Sequence, residues 1–404
     1  MKLYKTSRNN VVTAIALLCK VFVGASIVIL ASLVATPVVF GQYAKLVSAA
    51  LVLGAVFDFG ISLRSLAVPR DNTEELKSLY RFVLVRDLGL VALCLCFIGI
   101  LGVSYLVVIA AILGGHLISV QSHARASGDY YFELIVNSLM ALINVLAFLA
   151  FYLFKWNVDA NSLILYFLVV PRLFGSAVCI WYFHRQEILI KTMFKFSLSA
   201  CRQFFCRLRS LVPFAAQGIL VASATNVDVL VASYVMPVAD VGRIKLITTV
   251  VGLLLMAPEI LANIWLNKLA NQNNLQSGIG KIERMFGYLG AALFVIGFPL
   301  FFFFSVKNLN GASYYPFLIA LILSLVVALR VGSLSWATIF TVVNLQHLRL
   351  SILIVSSFAY WLGVLAFGHS FGINGFIGAL LFMSILQLAL YYSFGSRRLS
   401  KLID

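Results

Sequence analysis

Hydrophobic residues lie along this chain in twelve long runs, and short segments between the runs carry most of the charged residues. A helix needs about 20 mostly apolar residues to cross a bilayer, and the runs meet that length. Runs such as 93–111 show none of the apolar–polar alternation of a membrane β-strand, so helices are predicted. The runs lie at 11–36, 42–63, 82–103, 105–124, 131–154, 160–183, 211–235, 244–266, 285–306, 314–342, 348–368 and 372–394.

The pattern predicts an all-α membrane protein with about twelve transmembrane helices. The apolar stretch from Val11 to Phe40 is much longer than the core of a cleavable signal peptide, and no small-residue cleavage site closes it. We therefore expect it to be retained as the first span.

Composition supports this class and excludes others. The 404 residues are 62% apolar and 11% charged, against about 25% charged residues in a soluble domain. The net charge of +16 is scattered in short clusters between the runs, so no basic domain is available to bind nucleic acid. The six cysteines form no CxxC pair, and the five histidines show no ligand spacing, so neither a metal nor a cofactor is predicted.

Lysine and arginine are distributed very unevenly between alternate segments. With the N-terminus in the cytoplasm, the cytoplasmic segments carry 22 of the 30 Lys and Arg residues and the outer segments carry five. This positive-inside bias predicts cytoplasmic N- and C-termini and an even number of spans.

A basic stretch divides the chain into halves with six spans each. It covers roughly 184–210, combines Lys and Arg with interleaved phenylalanines, and is typical of an amphipathic helix at the membrane surface. We predict an N-terminal bundle at 1–190, a linker helix at 191–210 and a C-terminal bundle at 211–404, an arrangement typical of transporters built from two repeats.

Three cations and two acids fall at membrane depth, where a charge costs at least about 2.5–3.5 kcal/mol unless it faces protein or water. For Lys20 the alternative to a functional role is a side chain that reaches the interface, and for the arginines it is a structural salt bridge. The functional interpretation is a wet, cationic cavity for an anion, because the cations outnumber the acids. The residues are Lys20, Arg172 and Arg330, with Asp228 and Glu259 as the acids.

Two interpretations are open for each of Arg243, Lys245 and Glu259. Arg243 and Lys245 are either interface anchors or the rim of the same cavity. Glu259 follows Pro258, so it marks either a kink with a paired acid or a protonatable gate. Asp58, beside Gly60, is predicted to pair with Arg64 or Arg86 and to stabilise helix packing.

Nucleotide-binding and hydrolase motifs are absent from the sequence, so an enzyme is not predicted. Several short motifs instead resemble, in order and spacing, the Wzx-type (RfbX-like) polysaccharide flippases of the MOP exporter superfamily. Arg243 departs from that family, which has Tyr after the Val-Gly pair. The motifs are Gly41-Gln42-Tyr43-Ala44, Asp58-Phe59-Gly60-Ile61, Asn226-Val227-Asp228, Val241-Gly242 and Gly372-Ile373-Asn374-Gly375-Phe376-Ile377-Gly378-Ala379.

The resemblance implies a MOP/MATE-like V of two six-helix bundles around a cationic cavity, in the bacterial inner membrane. It implies that the cargo is an undecaprenyl-diphosphate-linked oligosaccharide for O-antigen, lipopolysaccharide or another surface polysaccharide. It also implies membrane lipids, a polysaccharide polymerase and a chain-length regulator as partners. Coupling to an H⁺ or Na⁺ gradient is left open.

Two other functions remain as alternatives. A polysaccharide polymerase or ligase is also polytopic, but it usually carries a sizeable periplasmic loop with basic residues, and every predicted outer loop here is short. A multidrug antiporter of the same superfamily needs acidic groups to hold cationic drugs, and the basic surplus disfavours it.

Overall fold

The computed structural model describes residues 2–67, 73–97, 105–127, 129–156, 158–185, 198–270, 275–308, 316–343 and 345–403. Within these ranges the chain is almost entirely α-helical and has no β-strand, so the predicted all-α class is confirmed. The helices are α1 (Lys2–Val34), α2 (Pro37–Asp58), α3 (Ile61–Ala67), α4 (Thr73–Phe97), α5 (Tyr105–Ala126), α6 (Tyr130–Phe154), α7 (Ala160–Ile164), α8 (Val170–Arg185), α9 (Leu198–Val235), α10 (Val238–Ala270), α11 (Leu275–Asn308), α12 (Pro316–Val342) and α13 (Gln346–Ile403).

Seven helices in the described ranges are long and apolar enough to cross a membrane. The longest, His347–Gly395, has 49 residues and would extend about 74 Å, more than twice the hydrocarbon thickness. It is interrupted at Gly372, whose φ of 54° and ψ of −132° are not helical, so it supplies two of the predicted spans. Two shorter apolar helices, Leu18–Val34 and Asn226–Val235, fall on the first and seventh predicted spans.

Large apolar side chains cover the outside of these helices, as expected for a surface that faces lipid. Leu153, Phe154 and Phe303 are each 68% exposed. In water, a continuous apolar surface of this kind would drive association, whereas lipid tails solvate it. The predicted orientation of the termini stays a prediction, because helix positions alone do not distinguish the two membrane sides.

The chain divides into two compact units, Met1–Leu230 and Val231–Asp404. The division falls within α9, which runs without a break from the predicted linker into the predicted seventh span. Residues 186–197 of that linker lie outside the described residues, as do the side chains at 198–210. The amphipathic linker and the domain limits at 190 and 210 therefore stay predictions.

Short polar side chains begin three of the helices in unit 1. Thr36, Asp129 and Asp159 cap α2, α6 and α7, and each accepts a hydrogen bond from the amide three residues ahead. Such bonds satisfy helix amides that have no partner within the helix. Hydrogen bonds from the hydroxyl and the amide of Ser162 hold the pKa of Asp159 below its ordinary value.

Small residues bring α2 and α5 into close contact in unit 1. A Cβ atom on Gly54 would lie 3.3 Å from the carbonyl oxygen of Ala111, and one on Gly115 would lie 3.1 Å from that of Gly54. Close backbone approach at small residues is how helices associate where lipid removes the hydrophobic driving force. Besides α2, helix α5 contacts α3, α4 and α8.

The C-terminal end of α2 turns sharply at Phe59 and Gly60. Both residues have positive φ, 52° and 72°, and the turn leads directly into α3. A Cβ atom on Gly60 would lie 2.2 Å from the amide nitrogen of Ala215, so α9 packs against this turn with backbone on backbone. Glycine is required here for both its conformation and its size.

In unit 2, α11 packs along α12 and α12 along α13. After the break at Gly372, α13 folds back closely on itself. A Cβ atom on Gly375 would lie 2.1 Å from the carbonyl oxygen of Phe367. The glycine-rich motif at 372–379 therefore separates the two spans of α13.

Candidate functional site: cations at membrane depth

A π-helical turn at Leu165–Val169 leads into α8 and positions Arg172. The amide of Val170 donates to the carbonyl of Leu165, which is the wider spacing of a π-helix. In a regular helix the ring of Pro171 would clash with the carbonyl of residue 167, and the widened turn lies at this point. Arg172 follows in the first turn of α8.

The guanidinium of Arg172 reaches α5. Its Nη1 donates a hydrogen bond to the carbonyl oxygen of Ala110. Gly114 leaves the space that this group occupies, because a Cβ atom there would lie 2.7 Å from Nη1. The phenol of Tyr43 lies within electrostatic range of Arg172, and among the described residues no carboxylate forms an ion pair with this guanidinium. A backbone carbonyl thus orients the half-buried Arg172, and its charge is left without an acidic partner.

Lys20, in α1, is the second cation of unit 1 without a contacting acid. It is half-buried, the guanidinium of Arg125 repels it, and the carboxylates of Glu133 and Asp58 attract it from a distance. Within the described ranges, neither lies close enough to form an ion pair with its ammonium group. Lys20 and Arg172 therefore both keep positive charge that unit 1 does not neutralise by contact.

Two other arginines of unit 1 show the opposite arrangement. Arg125 forms an ion pair with Glu133, whose side chain is only 1% exposed. Arg86 is 3% exposed, and its Nη2 lies 2.7 Å from Oδ1 of Asp87. The Arg125–Glu133 pair joins α5 to α6, and Asp87 offsets the charge of Arg86 within α4, so both guanidinium groups have a carboxylate partner inside the protein.

Asp58 lies in the same buried cluster as Arg86. Oδ2 of Asp58 accepts a hydrogen bond of 2.6 Å from the Ser62 hydroxyl, and Oδ1 lies 2.5 Å from the Ser119 hydroxyl. Nη1 of Arg86 lies 3.9 Å from Oδ1 of Asp58 and donates to its backbone carbonyl. Of the two partners predicted for Asp58, Arg86 is the one it contacts. Arg64 pairs instead with Glu75, at 2.6 Å.

Arg330 and Glu259 lie in unit 2, on α12 and α10. Nη2 of Arg330 donates to the sulfur of Met383 at 3.6 Å, and Arg330 acts electrostatically on Glu259. Glu259 is exposed and directly follows Pro258, a proline inside α10. Arg330 and Glu259, both predicted at membrane depth, therefore lie close enough to interact electrostatically.

The remaining predicted residues occupy different surroundings. Arg243 pairs with Asp240 at 2.9 Å, one turn earlier in α10, so its charge is offset locally. Lys245 is only 5% exposed, and its predicted place at the cavity rim or the interface stays a prediction. Asp228 is buried in α9, and its Oδ1 accepts a hydrogen bond of 2.8 Å from the amide of Val229.

No protein-family model matches the sequence, and no curated protein matches it. Solved structures do match across nearly the whole chain. An inward-facing multidrug resistance MATE family transporter of the MOP superfamily aligns with a TM-score of 0.72 and 12% identity, covering 96% of this chain and 98% of that one. The chain has the fold of the MATE transporters.

Two further matches show how broad that fold is. The eukaryotic MATE transporter AtDTX14 gives a TM-score of 0.61 at 16% identity, covering 97% of this chain and 95% of its own. A MOP superfamily transporter from Pyrococcus furiosus gives 0.57 at 12% identity, covering 98% and 96%. It is described as having a binding pocket of reversed polarity that suggests a different function. At these identities the MATE fold is shown, and the cargo has to be inferred from the side chains.

Asp87 is the residue in this MATE fold that sequence reasoning did not single out. Its Oδ1 accepts from Nε and Nη2 of Arg86, and its Oδ2 lies 2.6 Å from Nδ1 of His116. Helix α4 begins at Thr73 and buries Arg86. The sequence does contain a signal for this site. Arg86 and Asp87 are neighbouring charges near the start of an apolar run, where charged residues need partners inside the protein.

Proposed function

We propose that the protein is a flippase of the bacterial inner membrane that moves an undecaprenyl-diphosphate-linked oligosaccharide from the cytoplasmic to the periplasmic leaflet by alternating access. The proposal rests on how the charge of Arg172 is held. Its guanidinium is held by the carbonyl of Ala110, in space left by Gly114, without an acidic partner among the described residues. A charge kept in this way at membrane depth requires water or an anionic ligand.

A lipid diphosphate has the chemistry that such a site binds. Guanidinium groups bind phosphate oxygens through two parallel hydrogen bonds, and the flexible ammonium of Lys20 adds a point charge. The diphosphate and the glycan cannot cross lipid unaided, because each loses its hydration there. A wet cationic path replaces that hydration, while the polyprenyl chain stays in the lipid.

A multidrug antiporter is the second candidate, because the matching MATE structures include multidrug transporters. Cationic drugs need free acidic groups, and the acids described in the interior of unit 1 already have partners. Asp58 and Asp87 contact Arg86, and Glu133 contacts Arg125. The exposed Glu259 of unit 2 is the acid that favours this second candidate.

The decisive experiment is transport by the purified full-length chain in vesicles that contain a fluorescently labelled undecaprenyl-diphosphate oligosaccharide. A membrane-impermeant quencher reports how much label remains in the outer leaflet. We expect Arg172→Ala to slow transfer about 10–100-fold, because a charge-assisted hydrogen bond contributes about 1.5–3 kcal/mol. Arg172→Lys should recover part of the rate, since it restores the charge without the planar donor group.

Lys281→Gln is the matched control, because Lys281 is exposed on α11 and its loss changes the net charge equally. It should transfer the lipid at the wild-type rate. Wild-type transfer by Arg172→Ala would overturn the role of Arg172. Wild-type protein that leaves the labelled lipid in place and moves a cationic dye would assign the antiporter function instead.

Gly114→Ala provides an independent test of the same geometry. The added Cβ atom would lie 2.7 Å from Nη1 of Arg172, and the guanidinium is the flexible end of its side chain, so it moves while the helices stay. We expect lipid transfer to fall about tenfold with little change in thermal stability. Gly89→Ala on α4 is the control, since nothing lies within 4 Å of its added Cβ atom. Equal rates for the two variants would show that the position of Arg172 is unimportant.

A further inference from the structure

The short turn between α12 and α13 carries an arginine where two predicted spans end. α12 ends at Val342 and α13 begins at Gln346, and the predicted spans on either side are 314–342 and 348–368. Arg349 lies in the first turn of α13 and is half-buried. Because both apolar runs end here, its side chain lies at the depth of phospholipid headgroups.

Two hydroxyl groups from different helical segments hold the guanidinium of Arg349. Its Nη1 donates a hydrogen bond of 2.8 Å to Oγ1 of Thr341, in the last turn of α12. The guanidinium also donates to the phenol of Tyr391, which lies on the part of α13 after the break at Gly372. Tyr391 is 2% exposed and packs edge-to-face with Phe340, so its phenol is fixed in place. Three helical segments therefore converge on this one guanidinium.

No carboxylate of α12 or α13 offsets the charge of Arg349. The sequence has no Asp or Glu between Glu283 and Asp404, so neither helix contains one. Among the described residues, the side-chain partners of Arg349 are two neutral hydroxyl groups. A guanidinium has five N–H donors, so donors remain beyond those that contact Thr341 and Tyr391. Arg349 therefore keeps both positive charge and hydrogen-bonding capacity for an anion.

The C-terminal end of α13 adds positive charge near this turn. Because Tyr391 contacts Arg349, the end of α13 lies at the same end of unit 2 as the turn. Arg397, Arg398 and Lys401 follow Tyr391 within about three turns of the helix. A group of basic residues next to a span attracts anionic lipid.

We propose that Arg349, fixed by Thr341 and Tyr391, binds the phosphate group of an anionic phospholipid in the leaflet at this end of unit 2. A guanidinium donates two parallel hydrogen bonds to phosphate oxygens. The acyl chains lie along the apolar outer surface of α13, where Val355 and Phe358 are 53% and 56% exposed. These chains favour a lipid headgroup over free phosphate. The site does not depend on the cargo of the proposed function.

Native mass spectrometry of the full-length chain in detergent measures this binding. An equimolar mixture of ¹⁵N-labelled wild-type protein and an unlabelled variant is titrated with phosphatidylglycerol, and the two lipid-bound fractions give the ratio of affinities. We expect Arg349→Gln to bind this lipid about tenfold more weakly, since it loses charge-assisted hydrogen bonds. Arg349→Lys should recover part of the affinity, because it keeps the charge without the planar donor group. Zwitterionic phosphatidylcholine should show a smaller loss.

Thr341→Val tests the position of Arg349 at unchanged charge. It removes the acceptor of the 2.8 Å hydrogen bond, so the affinity for phosphatidylglycerol should fall about threefold. Because Thr341→Val and Arg349→Lys keep the net charge, they test the site even where loss of the guanidinium lowers the yield of folded protein.

Arg284→Gln is the matched control. Arg284 is exposed on α11, and its Nε donates to the carbonyl of Gly280 on the same helix. Its loss changes the net charge equally, and we expect the lipid affinity to stay within about twofold of wild type, since solvent and salt screen an exposed charge.

Equal losses of affinity in Arg349→Gln and Arg284→Gln would show a general attraction of basic residues and would overturn the site. Unchanged lipid binding in Arg349→Gln, with or without a lower melting temperature, would leave Arg349 a structural role alone. Inorganic phosphate that displaces phosphatidylglycerol from wild-type protein at equal concentration would overturn the headgroup assignment in favour of a free anion. Lipid binding at Arg349 in a chain that transfers no labelled oligosaccharide lipid would reject the flippase function and leave this site intact.

Discussion

Replacing Arg86 by methionine is expected to destabilise unit 1 more than any other single charge substitution there. Methionine fills much of the volume of Arg86 but leaves the buried Asp58 and the half-buried Asp87 without the guanidinium that both contact. Removal of one partner from a buried ion pair typically costs about 3–5 kcal/mol. We expect the apparent melting temperature, followed by tryptophan fluorescence of the purified protein, to fall by about 10 °C.

Arg64→Met is the matched control for this substitution. Arg64 also pairs with a carboxylate, that of Glu75, but the two side chains are 38% and 28% exposed. Pairs of this kind contribute about 0–1 kcal/mol, so its melting temperature should stay within a few degrees of wild type. Adding Asp87→Asn to Arg86→Met should recover part of the loss, since it removes one of the stranded charges. Equal melting temperatures for Arg86→Met and Arg64→Met would contradict the buried network.

Gly60→Ala is expected to have the second large effect on stability, about 3 kcal/mol or more. Its φ of 72° is costly for a residue with a Cβ atom, and that atom would lie 2.2 Å from the amide nitrogen of Ala215. The clash is with backbone, so no side-chain rotation relieves it. We expect a low yield of monodisperse protein by size-exclusion chromatography and a melting temperature clearly below that of wild type.

Gly218→Ala tests whether the effect is specific to the turn. Gly218 lies on the same helix as Ala215, and its added Cβ atom would meet the Cδ1 atom of Leu63 at 3.8 Å, an ordinary contact. Alanine is also favoured over glycine inside a helix by about 1 kcal/mol. Gly218→Ala should therefore be as stable as wild type or slightly more stable. A wild-type yield and melting temperature for Gly60→Ala would show that α9 does not pack on the turn as described.

The arginines of unit 1 are assigned different roles because some contact a carboxylate and one does not. Arg86 and Arg125 contact carboxylates, so their substitution should change stability first. Arg172 contacts a carbonyl, so its substitution should change transport first. Measurement of both quantities for the same variants therefore separates a structural cation from a cation that binds cargo.

The hydrophobic pattern alone determined the all-α class and the positions of most spans, because only helices satisfy their backbone hydrogen bonds within a single segment in lipid. It also located the break at Gly372, where a glycine-rich motif begins between two apolar runs. Lys20, Arg172 and Arg330 were found in the same way, since a charge within an apolar run is visible in the sequence.

The tertiary structure decided which of those charges have partners. Asp58 is 28 positions from Arg86 and 61 from Ser119, and hydropathy holds no information about which distant side chains meet. The same reason applies to Asp87 and His116, which are on different helices and come within hydrogen-bond distance only when α4 packs on α5. The sequence therefore determines where charge enters the membrane, and helix packing determines whether a carboxylate inside the protein neutralises it.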